Sequence, residues 1–99
     1  MEALGSLSMT ATPDLTALRP EVLGFAVMME AVLAQNDWKG GWQDMEYADI
    51  LERLDEELAE LKETFAPLKT RFWTFSERET AKKEAIDVAN FCMMLVDVL

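Results

Sequence analysis

From Ala85 to Leu99 the chain is apolar at nearly every position, the exceptions being Asp87, Asn90 and Asp97. A helix of that composition is expected to be buried most of the way round, so acids within it are expected to be at least partly buried. Glu84 and Asp87 stand three residues apart and share a helix face. At ~100° per residue they fall in line with Phe91, Met94 and Val98, with Asn90 one step to the side. Buried carboxylates without a cationic partner are costly enough to be rare, and the simplest partner is a metal ion.

A second acidic cluster, Glu56-Glu57-Leu58-Ala59-Glu60, lies in mid-chain. Tyr47, Ile50, Leu51, Leu54, Leu58, Leu61 and Phe65 form one apolar stripe on the same wheel, and Glu57 falls at its edge with Glu60 beside it. Glu56 and Glu63 lie further round, on the exposed flank. Taken alone, Glu57 and Glu60 read better as a solvated charged face, with Arg53 in ordinary salt bridges to them. Taken with the second cluster, two helices can aim four carboxylates at one point.

Ninety-nine residues suggest one small domain, marginal for a large core of its own, and 51% apolar residues argue for a packed globule rather than disorder. Association is the expected consequence. The net charge of −10, from 19 acids against 9 bases, argues against a nucleic-acid surface and an anionic membrane surface. An acidic chain can still bind a polyphosphate if divalent cations reverse the local sign. Histidine is absent, which removes His-based general bases, Ser-His triads and His-ligated zinc. It also disfavours a carboxylate-bridged redox dimetal bundle, whose sites usually add a Glu-x-x-His pattern. The single cysteine, Cys92, allows no intrachain disulfide and is expected as a small buried apolar residue. Met1 to Asp14 has neither Lys nor Arg, so no signal peptide is read there. The C-terminal apolar run, with its two Asp, is short of the ~20 residues a bilayer span needs. A soluble, cytoplasmic protein is the expectation.

In chain order, residues 1–13 lack periodicity and are expected to be a mobile arm ahead of a single helical domain, 14–99. Pro20 suits a helix first turn, and the apolar run from Val22 to Leu33 carries that helix to about Gln35, as a buried or interface element. Asn36 to Trp42 is the one Gly-rich loop. Its Trp38, Lys39, Gly40, Gly41 and Trp42 could stack a base and hold a phosphate, or serve as a turn whose tryptophans plug the bundle's end. A second helix is predicted from Asp44 to about Thr64, with Asp44, Glu46 and Asp49 in its first turns. Phe65-Ala66-Pro67 ends it. The connection to Phe75 carries Lys69, Arg71, Phe72 and Trp73, able either to close over an anionic ligand or to cover the bundle. Ser76-Glu77-Arg78-Glu79 fits a capping box opening the last helix.

Glu56-Glu57-x-x-Glu60, a gap of 23 residues, then Glu84-x-x-Asp87 resembles the signature of the all-α nucleoside triphosphate pyrophosphohydrolases, which include the MazG proteins, the dimeric dUTPases and the dCTP pyrophosphatases. The resemblance covers roughly Phe25 to Leu99. Lys39-Gly40-Gly41-Trp42 and Asp87-Val88-Ala89-Asn90-Phe91 are similar to short MazG-like proteins of phages and environmental bacteria. The basic-aromatic stretch Lys69 to Phe75 is a departure from the family pattern.

The resemblance implies a MazG-like helical bundle completed by homodimerisation, sometimes as a dimer of dimers. The three helices predicted here agree with borrowing helices from a partner. It implies a Mg²⁺-dependent hydrolase, with Mn²⁺ as a substitute, converting (d)NTP to (d)NMP and pyrophosphate in nucleotide-pool house-cleaning. Glu57, Glu60, Glu84 and Asp87 would bind the metal, and Glu56 would position or deprotonate the attacking water. Asn90 would sit near sugar or phosphates, and Lys82 or Lys83 would reach the polyphosphate. The alternative is a non-catalytic helical dimer that binds nucleotide or a protein partner.

Overall fold

The computed structural model describes residues 14–69 and 73–99. Its three helices are α1 (Pro20–Gln35), α2 (Tyr47–Phe65) and α3 (Phe75–Val98), joined by single 3-10 turns at Asp37–Lys39 and Ala66–Lys69, with another at Leu15–Ala17 ahead of α1. No strand occurs among the described residues, so the expected all-α class holds. Among those residues no helix is long and apolar enough to cross a membrane. The expected arm, 1–13, lies outside the described residues, as do Arg71 and Phe72 of the basic-aromatic connection.

Helix α1 begins at Pro20, whose fixed φ and missing N–H suit a first helical position. At its other end the Asn36 amide Nδ2 donates to the Val32 carbonyl at 3.2 Å. None of its side chains is buried. Val22 and Leu23 are each 50% exposed and Val27 60%. Of the two alternatives for this helix, burial therefore fails, because α1 rests one side on α3 and leaves the rest of its apolar surface uncovered.

Helix α2 starts at Tyr47, three residues later than the acids at Asp44 and Glu46 suggest. The preceding segment folds back first, with Met45 N–H donating to the Trp42 carbonyl at 2.9 Å. Glu46 is extended (φ −72°, ψ 146°) and acts as N-cap, leaving Asp49 as the acid of the first turn. Of the predicted stripe, Ile50 is fully buried, Leu54, Leu58 and Leu61 are half-buried, and Tyr47, Leu51 and Phe65 are exposed.

Helix α3 opens one residue before Ser76, and its capping box is formed by Thr74 and Glu77 rather than by Ser76 and Glu79. Thr74 Oγ1 accepts from Glu77 N–H at 3.1 Å, and Glu77 Oε1 accepts from Thr74 N–H at 2.8 Å. Both pairs match the pattern, but Thr74 is the residue in the extended conformation a cap needs. The expectation that α3 is buried nearly all round also needs correction. Ala81, Ile86 and Asn90 are buried, whereas Cys92, expected inside, is exposed, as is Val96.

The main packing is α2 against α3, with α1 added on α3. Between them they bury the hydrophobic side chains of Ile50, Ala81 and Ile86, and two polar ones, Glu57 and Asn90. The deepest positions of this small core thus include an acid and an amide.

Candidate metal centre

Glu57 sits on α2 one turn from Leu61 and two from Ile50, on the flank that meets α3, and is only 8% exposed. Glu60 lies next along the same face, exposed, and Glu84 faces them from α3, half-buried. One carboxylate oxygen from each of the three lies within 4.8 Å of the other two. The predicted convergence of acids from two helices is therefore present for Glu57, Glu60 and Glu84. Asp87, one turn further along α3, adds its charge to the same point. The carboxyl of Glu57 is pushed above the usual glutamate range, chiefly by burial and then by the charges of Glu60 and Asp87, with Arg53 pulling the other way. Glu84 is raised for the same reasons, with Lys83 opposing.

Two cations flank the cluster. Arg53, one turn before Glu57, donates from one guanidinium nitrogen to Glu56 Oε2 at 2.7 Å and from the other to Glu57 Oε1 at 3.4 Å. Its guanidinium carbon lies 5.4 Å from the centre of the Phe91 ring on α3. Lys83 donates to Asp87 Oδ2 at 3.1 Å. That bond, with the charges of Asp87, Glu84 and Glu57, raises the ammonium pKa against the smaller opposing effect of burial.

The acids open onto a cleft of about 800 Å³ whose far wall is the Gly-rich loop, Lys39 to Gln43. Gly40 has φ 88°, a left-handed conformation that a glycine adopts without the cost to a Cβ-bearing residue. Trp42 is held by its indole N–H, which donates to Asp97 Oδ2 near the end of α3 at 3.0 Å. Asn90 is 3% exposed and forms part of the cleft wall. Its Nδ2 donates to the Met29 carbonyl of α1 at 3.3 Å, while its Oδ1 has no hydrogen-bond partner. An unpaired buried oxygen beside a carboxylate cluster calls for a donor or a cation.

Of the predicted binding residues, Lys39, Trp42, Lys83, Asn90 and the acids Glu57, Glu60, Glu84 and Asp87 all line this cleft. Glu56 is outside its wall, exposed, and tied to it only through Arg53. Lys82 points elsewhere: it pairs with Glu79 at 3.4 Å and borders a separate groove with Phe65, Trp73 and Arg78. In that groove Phe65 and Trp73 meet edge to face at 4.9 Å, so part of the aromatic connection does cover the bundle.

The expected Arg53–Glu57 pair is present, but sequence reasoning missed three features of the site: the second engagement of Arg53, with Glu56, the anchoring of Trp42 by Asp97, and the link from Asn90 to α1. The Arg53–Glu56 spacing, i to i+3, carries the first signal. The other two join residues 55 and 61 positions apart and have no local signature.

The donor set suits a hard divalent cation: carboxylate oxygens only, from two rigid elements, beside an unpaired amide oxygen. No family model, curated protein or solved structure matches the chain.

Proposed function

We propose that the chain is a Mg²⁺-dependent nucleoside triphosphate pyrophosphohydrolase of the MazG-like kind, active as a homodimer. The observation that carries the proposal is the meeting of Glu57, Glu60 and Glu84 within 4.8 Å from two helices, inside a cleft large enough for a nucleotide. In this reading Glu57, Glu60, Glu84 and Asp87 hold the metal. When bound, the ion shields phosphate charge and acidifies a coordinated water. Water adds to the α-phosphorus, the bond to the bridging oxygen breaks, and pyrophosphate leaves a nucleoside monophosphate. The water's proton passes to Glu57, the buried carboxylate of the cluster; Glu56, given this role by the resemblance, stands outside the cleft wall on the far side of Arg53. Lys83 and Lys39 border the path of the polyphosphate, and Trp42, its ring fixed by Asp97, offers a stacking face for the base.

The homodimer is supported by how little this chain buries alone. Val22, Leu23, Val27 and Met28 of α1 are all more than 40% exposed, and apolar helix surface left uncovered in this way is suited to a second copy.

The test is pyrophosphate release from all NTPs and dNTPs, with Mg²⁺ and with EDTA. Metal-dependent release from any of them that Glu57→Gln abolishes supports the reading, and unchanged release by that variant refutes the site. A second reading, a non-catalytic helical dimer that binds nucleotide or a protein partner, is favoured by one observation. Arg53 and Lys83 give Glu56, Glu57 and Asp87 cationic partners within the chain itself. Calorimetric uptake of Mg-nucleotide with no pyrophosphate formed would select it.

A further inference from the structure

Arg53 is placed for more than a surface ion pair. Its guanidinium joins two neighbouring carboxylates, Glu56 at 2.7 Å and Glu57 at 3.4 Å, and lies over the Phe91 ring at 5.4 Å, on the wall of the acidic cleft. A planar fork can make both contacts and keep an aromatic neighbour, whereas an ammonium is a single point charge. The two carboxylates differ in depth: the Glu57 side chain is 11% exposed and that of Glu56 51%. The longer bond goes to the buried acid, where the negative charge concentrates. The shorter goes to the solvated one, where water screens an ion pair and little is lost if it opens. Arg53 itself is half-exposed, so its head group can change partner while its stem stays on α2 and its face stays near Phe91.

We propose that Arg53 is an exchangeable counter-cation: it neutralises Glu56 and Glu57 while the acidic cluster holds no metal, and turns to a phosphate oxygen of the substrate when a divalent ion takes over Glu57. The proposal rests on the pyrophosphohydrolase reading of the cleft. It assigns Arg53 two opposed effects. A guanidinium beside the cluster competes with metal alone, because both are attracted to the same carboxylates. Once metal and polyphosphate are present together, Arg53 gains a bidentate anionic partner and favours their binding.

The experiment is calorimetry on the full chain and on Arg53→Met, which keeps stem and helix propensity, with Arg53→Gln as a second variant and circular dichroism checking the fold. The probes are Mg²⁺ alone, then inorganic tripolyphosphate with Mg²⁺ saturating, which removes any dependence on the base. Both variants are expected to bind Mg²⁺ alone about tenfold more tightly, the effect of one unit charge on a divalent ion about 6 Å away in water. They are expected to bind tripolyphosphate about 10- to 100-fold more weakly, as for a lost hydrogen bond to a charged group. Opposite shifts are what a merely structural role would not produce. If the two affinities move together, or neither moves, the exchange is refuted, as it is if the wild type takes up Mg²⁺ but no tripolyphosphate. If the wild type takes up no Mg²⁺ at all, the metal reading of the cleft fails first, and the two failures are thereby told apart.

Discussion

Replacing Glu57 with glutamine should stabilise the metal-free protein while removing its response to metal. Glu57 has carboxylate oxygens of Glu60 and Glu84 within 4.8 Å. At that outer limit each such pair repels by about 0.9 kcal/mol at the dielectric constant of water, and more at any closer approach. Arg53 at 3.4 Å returns about 1.2 kcal/mol on the same scale. The balance is a net repulsion of about 0.5 kcal/mol, rising to about 2 kcal/mol at an effective dielectric constant of ~20. The wetter limit deserves more weight for Glu60, which is exposed, and the drier one for Glu57, which is buried. Burial of the charge acts in the same direction as the repulsion. In EDTA near neutral pH, Glu57→Gln should therefore raise the melting temperature, by about 2–16 °C if each kcal/mol is worth about 4–8 °C in a domain of this size. Thermal unfolding followed by circular dichroism reads this directly. Mg²⁺ should raise the melting temperature of the wild type by mass action and leave the variant unmoved. A variant less stable than wild type in EDTA would refute the reasoning, because Glu57 would then be held by favourable contacts rather than tolerated for a ligand.

The pH dependence of stability should follow the same logic. Glu57 and Glu84 have folded pKa values above their unfolded ones, so their contribution is fully present below the ordinary glutamate range and is lost as pH rises through the raised values. Metal-free protein should thus gain stability from these two groups on mild acidification from neutral, and urea titrations with saturating Mg²⁺ should show that gain abolished or reversed. Lys83, also raised, contributes stability that fades only as alkaline pH passes its folded value; Lys83→Met should flatten that limb of the stability profile. Thr74→Ala removes the side-chain half of the capping box and should cost about 1 kcal/mol in urea unfolding, whereas Ser76→Ala should cost much less. Asp97→Ala should free the Trp42 ring, seen as greater quenching of tryptophan fluorescence by acrylamide, and Asp97→Asn, which keeps an acceptor oxygen, should restore the wild-type response.

The helices were legible because their signals are local. Pro20 marks the start of α1, and the apolar spacing from Ile50 to Leu61 places α2. The acids were legible for a related reason: Glu57 and Glu60, and likewise Glu84 and Asp87, each occupy one face of a helix whose other residues show which side turns inward. What local pattern could not give was the amount of burial. Cys92 and Val96 look like core residues by composition, yet they are exposed. Two neighbouring helices do not suffice to surround α3. Helix starts were misread where two candidate caps compete, as with Thr74 and Ser76, since the choice is made by a backbone conformation two residues upstream. The partners of Trp42 and Asn90 depend on how α3 docks against a loop and a helix far away in sequence.

Among the described residues three buried apolar side chains, Ile50, Ala81 and Ile86, share the interior with Glu57 and Asn90. A chain of this length has little stability to spare, and a leucine in place of Glu57 would extend the apolar stripe of α2 without a gap. A deep acid whose charge is opposed by burial and by its neighbours, next to an amide oxygen with no partner, is costly as pure scaffolding. The first cost falls if a divalent cation enters, since it converts the mutual repulsion of Glu57, Glu60 and Glu84 into attraction to a common ion. The placement of strain at a cleft wall, where a ligand can relieve it, is the physical pattern of a functional site. In a helical unit this thin, the same ion would also tie α2 to α3 across their interface, so ligand binding and completion of the fold would become one event.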